Sequence, residues 1–363
     1  MKLHWILPVI GGLAGSYPTI AAPPSARPQP VYEAVDVGML PWVSYDVAPH
    51  LSASGVISWW QPGLDGAIHA FVWTHGSLQD LGTLASFAAS IASRTNRMGE
   101  TIGWSVSGRN LVDSGATTRA FLHSGSQTID LGTLGGRDSR AADINDKGEI
   151  AGSASLSDGS VHAFIYREGK LKDLGTLPGG SFSAAYAINA AGVIAGAAET
   201  STHLIHAVLW NDDHVLDLGT LPGGSRGRAL ALNDAGDVAG FSEADDAETH
   251  AFVYTHGRMQ DLGSLGMDPI RANAINNHGQ IVGASGVTRF VRHAFVWRNG
   301  VMQDLNKLIA PGGEWRLEDA FDVNDTGQIL CLGARSGALR DRHLILLSPL
   351  PTRNSSDIAS LSR

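Results

Sequence analysis

Residues 145–189 read NDKGEIAGSASLSDGSVHAFIYREGKLKDLGTLPGGSFSAAYAIN. Between turn residues the stretch holds four short apolar runs, GEIAGSA, HAFIY, KLKDLGTL and SAAYAI, each of strand length and each bounded by Gly, Asn or Ser. Asn189 restarts the pattern 44 residues after Asn145, and nearly the same words recur from one end of the chain to the other. Stacked repeats share one continuous structure, so the repeat, and not the length of 363 residues, decides the domain organisation.

Three words mark each unit. The first, Asn-x-x-Gly-x-Ile-x-Gly, stands at 96–103 (with Thr101 for Ile), 145–152, 189–196, 233–240 (with Val238) and 276–283. Residues 324–331 keep it but end on Cys331, and 52–59 are a degenerate opening copy. The second, His-Ala-Phe, begins at His69, His162, His250 and His293. It is varied at His206 (HAV), Arg119 (RAF) and His343 (HLI). The third, Asp-Leu-Gly-Thr-Leu, begins at Asp80, Asp130, Asp173 and Asp217, and diverges at Asp261 and Asp304. Each of these aspartates lies eleven residues after the start of the preceding second word, an offset that tolerates no insertion and fits one tight hairpin. Two-residue turns such as Glu168-Gly169 and Asn299-Gly300 fall inside it, and Asn-Gly is a strong hairpin signal.

The unit is thus a four-stranded meander. Strand a ends in Ile-Asn, strand b is Gly-x-Ile-x-Gly, strand c carries His-Ala-Phe, and strand d runs through Asp-Leu-Gly. Four strands in about 40–50 residues, repeated several times, predict an all-β chain folded as a β-propeller. The last unit lacks a third word, and the missing word stands at the other end. VDVGMLP at 35–41 matches KDLGTLP at 172–178, and Asp36 precedes Ser52 by the sixteen residues that separate Asp173 from Asn189. The expectation is a seven-bladed β-propeller of four-stranded blades over 31–349, its ring closed by the N-terminal strand completing the last blade, which removes exposed sheet edges.

The pattern HAF…DLGTLPGG…AINDxGxIxG resembles the HAF-repeat family of bacterial extracellular repeat proteins, over essentially all of 31–349. The resemblance implies a secreted or surface β-repeat protein and brings no established catalytic residues. At the N-terminus, Lys2 precedes an apolar segment at 5–14 and small residues follow at Ala21-Ala22, so 1–22 resemble a secretory signal peptide. A Pro-rich leader (23–30) and a flexible tail (350–363) flank the repeats, and the apolar segment falls short of the roughly 20 residues that span a bilayer. The expected location is secreted or periplasmic. The lone Cys331 excludes an internal disulfide, and a net charge of −9 argues against nucleic acid as partner.

The recurrent histidines lie a blade apart. A zinc ion needs three or four ligands within bonding distance, so they read as structural donors, and neither metal nor cofactor is expected. The aromatics four residues beyond them (Trp73, Tyr166, Trp210, Tyr254, Trp297) read as blade-to-blade packing. Function should lie where the repeats differ. The b-to-c segments vary at 58–61, at Trp104 with Arg109 and Asp113, at His203, at 243–246, at Arg289 with Arg292, and at Arg335 with Arg340. The d-to-a segments vary at Arg137-Asp138, Phe182, Arg226 and Glu314-Trp315-Arg316. Five residues before the Asn of the first word stand Arg140, Arg228 and Arg271, with Asp319 at the same place in the last unit.

The candidate ligand-binding residues are accordingly Arg140, Arg228, Arg271 and Arg316, which can grip a carboxylate or phosphate, and Trp59, Trp60 and Trp315, expected to be exposed and to stack on sugar rings. No zincin, nucleophile-elbow, P-loop or calcium-loop pattern is present, and nothing selects a scattered acid–base pair such as Asp113 and Glu243. The reading is a monomeric, non-enzymatic binding module for a glycan, an anionic ligand or a protein. The alternative is a propeller hydrolase or lyase acting on an extracellular glycan or peptide.

Overall fold

A computed structural model describes residues 31–40, 48–108, 115–212, 214–288, 291–310, 315–335 and 341–351; the segments read as signal peptide and leader, and nearly all of the tail, lie outside them. The chain folds into seven four-stranded antiparallel sheets. In the third blade the order is Gly135–Ile144, Ile150–Leu156, Val161–Arg167 and Lys170–Gly175, each strand pairing with the next. The first strands of neighbouring blades contact one another all the way round, so strand a is innermost and lines the axis. Among the described residues no helix is long and apolar enough to cross a membrane.

The three words acquire separate physical jobs. In the c–d hairpin of blade 3, Arg167 faces Lys170 across Glu168-Gly169, whose φ angles of 52° and 80° are those a primed two-residue turn demands. Asn299-Gly300 repeats this in blade 6 at 52° and 80°. At the a–b turn, Asn145 Oδ1 accepts from the backbone N–H of Lys147 (3.0 Å) and Glu149 (3.1 Å), closing the turn from within. Its Nδ2 then reaches out of the blade and donates to the carbonyl of Asn189 at 3.1 Å. Asn96, Asn189, Asn233, Asn276 and Asn324 do the same to the next blade, at 3.0–3.3 Å. The relay halts at blade 1, where Ser52 accepts from Asn324 but has no amide to pass on.

The histidine of the second word donates from Nδ1 to the aspartate of the third, at 2.8–2.9 Å in His69–Asp80, His162–Asp173, His206–Asp217, His250–Asp261 and His293–Asp304. In blade 2, Arg119 takes the histidine's place and pairs with Asp130 at 3.0 Å. The same carboxylates accept the N–H two residues on, as Asp173 does from Gly175 at 2.7 Å. The constant offset of eleven is the reach of that pair across the c–d hairpin.

The N-terminal strand Tyr32–Met39 lies beside Arg342–Pro349 in the sheet that also contains Ile329–Arg335 and Trp315–Val323, and this closes the ring. His343 Nδ1 donates to Asp36 at 2.9 Å, so the split blade makes the same histidine–aspartate pair as the continuous ones. Apolar clusters fill the spaces between blades. The one at the joint packs Leu40, Leu51, Trp59 and Phe71 against Phe321, Leu330, Leu344 and Leu346.

Candidate functional site

The axis has two mouths of different chemistry. At the a–b turn end, residues from all seven blades line a cavity of about 220 Å³. The residue two places before the recurrent Asn is alanine in three consecutive blades (Ala187, Ala231, Ala274) and charged or imidazole in the other four (Asp322, His50, Arg94, Asp143). Arg94 Nη1 donates to Asp322 Oδ2 at 2.9 Å, Arg94 Nε lies 3.7 Å from Asp143 Oδ1, and the His50 ring is wedged against Arg94 and Asp322. Burial, then the Arg94 charge, hold His50 below its ordinary pKa and favour the neutral ring. Burial raises the pKa of Asp143. Burial also opposes the Asp322 carboxylate, but His50 and Arg94 outweigh it and leave its pKa lowered.

These carboxylates are also backbone clamps. Asp143 Oδ2 accepts the Ile188 N–H of blade 4 at 2.8 Å, and Asp322 Oδ2 accepts the Leu51 N–H of blade 1 at 3.0 Å. The arc therefore bridges the place where the asparagine relay fails and where the inner strand is only His50–Leu51. Among the described residues no group of three or more His, Cys, Asp or Glu is arranged to hold a metal ion. This mouth is built to hold the ring together.

The opposite mouth, where the inner strands begin, carries the arginines. Arg140 and Arg228 are exposed, yet each rests on aromatic surface. Arg140 Cζ lies 5.3 Å from the Trp104 ring centroid, and Arg228 Cζ lies 5.9 Å from the rings of both Tyr186 and Phe241. Such stacking orders a guanidinium while leaving its N–H edge outward, and contributes about 0.5–1 kcal/mol at an exposed site. Arg335 sits 5.2 Å above Trp315 in the same manner.

Arg271 behaves differently, because its charge and that of Arg292 act on Asp319 of the next blade, with Arg292 Nη2 3.6 Å from the carboxylate. Asp319 is 3% exposed and accepts from Asn273 Nδ2 at 2.8 Å. Burial pushes its carboxyl up to about 6 from the ordinary 3.8 against the pull of the two arginines. A raised acid pKa means that the folded state binds the proton more tightly than the unfolded chain. The group's contribution to stability is therefore full below pH 3.8 and is lost as pH rises through about 6. Asp319→Asn, which does not titrate, is expected to gain stability relative to the native chain between pH 4 and 7, by at most about 3 kcal/mol. Urea unfolding of the two proteins at pH 4, 5.5 and 7 measures this; a difference that is flat with pH would overturn it.

The structure corrects one expectation about the aromatics. Trp59 and Trp60, expected to be exposed, are 7% and 8% exposed. Trp59 stands where most units have the second glycine of the first word, and its ring enters the cluster between blades 7 and 1. Trp60 packs with Ile91, Trp104 and Val106 between blades 1 and 2. Neither offers a free face for a sugar ring.

Trp315 is half-buried, tilted against His343 with ring centroids 4.9 Å apart. Arg316 binds Glu318, which also pairs with Arg342 at 3.3 Å. Arg109, Asp113, Arg289, Glu314 and Arg340 lie outside the described residues. The platforms under Arg140 and Arg228 were not among the proposed ligand-binding residues. Their signal is positional: Trp104 and Phe241 lie eight residues after the recurrent Asn, a place held by Ser153, Ala197 and Ala284 in blades 3, 4 and 6 and by Trp60 and Leu332 in blades 1 and 7.

With this geometry the protein is a closed seven-bladed propeller with one structural and one cationic–aromatic mouth. No protein-family model matches the chain, and no curated protein sequence matches it. Solved structures do. A puromycin-hydrolyzing peptidase of Mycobacterium tuberculosis is similar with a TM-score of 0.54 and 14% identity, over 84% of this chain and 51% of that one. The β-propeller domain of the Trilobed protease from Pyrococcus furiosus, described as having an open velcro topology, gives 0.54 and 10% over 87% and 95%. Pyrococcus horikoshii acylaminoacyl peptidase gives 0.53 and 10% over 87% and 53%. This chain spans about half the length of the two whole peptidases. At such identities the likeness is one of fold alone.

Proposed function

We propose that this propeller is a non-catalytic recognition module, working outside the cytoplasm, that takes an anionic ligand at the mouth where the inner strands begin. The observation that carries the reading is the pair Arg140 and Arg228. They are exposed guanidinium groups on a chain of net charge −9, each ordered by an aromatic platform, and no carboxylate lies within ion-pair distance of either among the described residues. An ordered cation loses less entropy on engaging a carboxylate, sulfate or phosphate, and the planar fork matches such anions in bidentate fashion. The N-terminal segment and the repeat pattern support an extracellular setting.

Asp319 supplies a pH dependence. Below about pH 6 its carboxyl takes up a proton and removes one negative charge from this mouth, so anion binding is expected to tighten as pH falls from 7.5 to 5. The test is calorimetry and co-sedimentation with polygalacturonate and sulfated polysaccharides against neutral glucans, with release of new reducing ends followed in the same tubes. Binding to the acidic polymers alone, weakened at least about tenfold in Arg140→Ala/Arg228→Ala, is the expected result. Equal binding of neutral and acidic polymers, or an indifferent double variant, would overturn the site. Release of new ends would overturn the non-catalytic reading.

A further inference from the structure

We propose that the axial cavity at the a–b turn mouth is a second binding site, for a small aliphatic amine. Ring closure explains the charged arc of Asp322, His50, Arg94 and Asp143 on one side of that cavity, since these residues span the joint where the asparagine relay stops. It does not explain the other side, where blades 4, 5 and 6 present Ala187, Ala231 and Ala274 at the same repeat position. A larger apolar side chain at those places would fill the axis and bury more surface. The three consecutive alanines instead leave a cavity of about 220 Å³ in which an apolar wall faces a charged one. That is below the roughly 300 Å³ at which ordinary ligand sites begin, so the occupant is small.

The charge of the lining is negative. Asp143 and Asp322 lie within it, and Asp146, Asp234 and Asp325, each following the recurrent Asn, form the rim. Arg94 and Arg97 are the cations of the lining, and burial with the Arg94 charge favours the neutral His50 ring. Asp322 is held by both Arg94 and His50. Asp143 has less: Arg94 Nε is 3.7 Å from it, beyond hydrogen-bond reach, and its short contacts are the backbone N–H groups of Ile144 (2.9 Å) and Ile188 (2.8 Å). Burial raises its pKa, as it does for a carboxylate short of positive charge. An ammonium group against Asp143, with its stem on the alanine wall, supplies that charge.

The rim has a gap on the alanine side. Asn277 Nδ2 donates to Asp234 at 2.9 Å and to Asp325 at 3.0 Å, and Arg97 lies 3.6 Å from the Asp146 carboxylate and 3.9 Å from that of Asp325. This belt is interrupted at blade 4, the blade of Ala187, where Ala190 stands between Asp146 and Asp234. Asp234 is exposed and is engaged by neutral donors, Asn277 and the Ala190 N–H at 2.9 Å, so its charge draws a cation toward the gap.

The experiment is calorimetric titration of the intact protein, at neutral pH and constant ionic strength, with butylammonium, butanol and butyrate. Saturable butylammonium binding at least about tenfold tighter than either comparator is expected. In Ala231→Leu the longer side chain enters the cavity, and butylammonium binding falls at least about tenfold. Where that variant does not fold by circular dichroism, Asp146→Asn/Asp234→Asn at exposed rim positions decides, with binding weakened at least about fivefold.

Arg140→Ala/Arg228→Ala should leave butylammonium binding unchanged, which separates this site from the proposed function. Absence of saturable butylammonium binding overturns the proposal. So do butanol or butyrate binding as tightly, or a folded Ala231→Leu or rim variant that binds like the native chain.

Discussion

A chain that lacks residues 31–40 is expected to lose its native unfolding transition and to aggregate, an effect larger than that of any single substitution. The segment supplies the fourth strand of blade 7 through seven residue pairs from Tyr32–Pro349 to Met39–His343. It also buries Tyr32 and Leu40 to 2% and 3% exposure. Its ends are fastened as well: Val31 N–H donates to Leu308 at 2.8 Å, Leu40 N–H to Arg342 at 2.8 Å, and Val31 accepts from Leu350 at 2.8 Å. Without it, the strand Arg342–Pro349 becomes a free edge carrying the run Leu344-Ile345-Leu346-Leu347, all buried in the intact ring. Such an edge is a template for pairing with other chains. The cost should exceed the roughly 0.5–3 kcal/mol of ordinary substitutions. Thermal melts with light scattering measure it, and a synthetic peptide of residues 31–40 added in trans should restore part of the transition. A truncated protein that melts as a monomer at the native temperature would show that the strand is an ornament.

That closure was legible because the signal is carried by spacing. Asp36 sits in the same register to Ser52 as Asp173 to Asn189, and the structure gives it the same histidine partner at 2.9 Å that the other aspartates have. The blade count and the hairpin turns were readable for the same reason: local chemistry repeated at a fixed interval fixes local geometry. The interactions between blades were not readable in this way. The recurrent Asn reads as a turn former, and nothing within its own unit shows that its amide ends on a carbonyl 44 residues away. The Asp322–His50–Arg94–Asp143 arc emerges only when one position is compared across all units and the ring is then closed, which makes Asp322 and His50 neighbours across 272 residues.

Trp59 and Trp60 show the converse error. Adjacent tryptophans in a variable segment invite a reading as a ligand platform, but strand b has a sheet neighbour and a blade above and below. The two rings therefore turn to opposite faces and fill two different interblade spaces. The arginines were found by position; the aromatics that order them had to be seen beside them. Arg140 and Trp104 come from different blades, so no spacing within a unit pairs them.

Alanine at Gly283 or Gly196 is expected to cost at least about 3 kcal/mol, whereas alanine at Gly236 should cost only about 1. The three residues are all glycines of the first word, and they are glycine for different reasons. Gly236 sits in the a–b turn at φ +89° with nothing within 4 Å of a β-carbon, so its substitution meets only backbone strain. Gly283 and Gly196 lie in strand b opposite a break in register of the inner strand, between Ala272 and Ala274 in one blade and Ala185 and Ala187 in the other. The extra residue bends the inner strand toward them. A β-carbon would lie 1.9 Å from the Arg271 carbonyl oxygen at Gly283 and 2.1 Å from that of Ala184 at Gly196. No rotamer relieves a clash of a β-carbon with a backbone carbonyl, so the bulge itself has to move, and with it the first strand that lines the axis.

In blade 7 Cys331 occupies this place, and there the inner strand shifts register twice, between Leu317 and Asp319 and between Ala320 and Asp322. Urea midpoints of Gly236→Ala, Gly196→Ala and Gly283→Ala, measured side by side, separate the two causes. If the three variants lose equal stability, the second glycine serves backbone freedom alone and the close approach of the inner strand is not what it is selected for. If the strand-b pair falls well below the turn variant, the word Gly-x-Ile-x-Gly encodes the bulge, and through it the path of the residues that carry Arg140, Arg228 and Arg271 to the mouth.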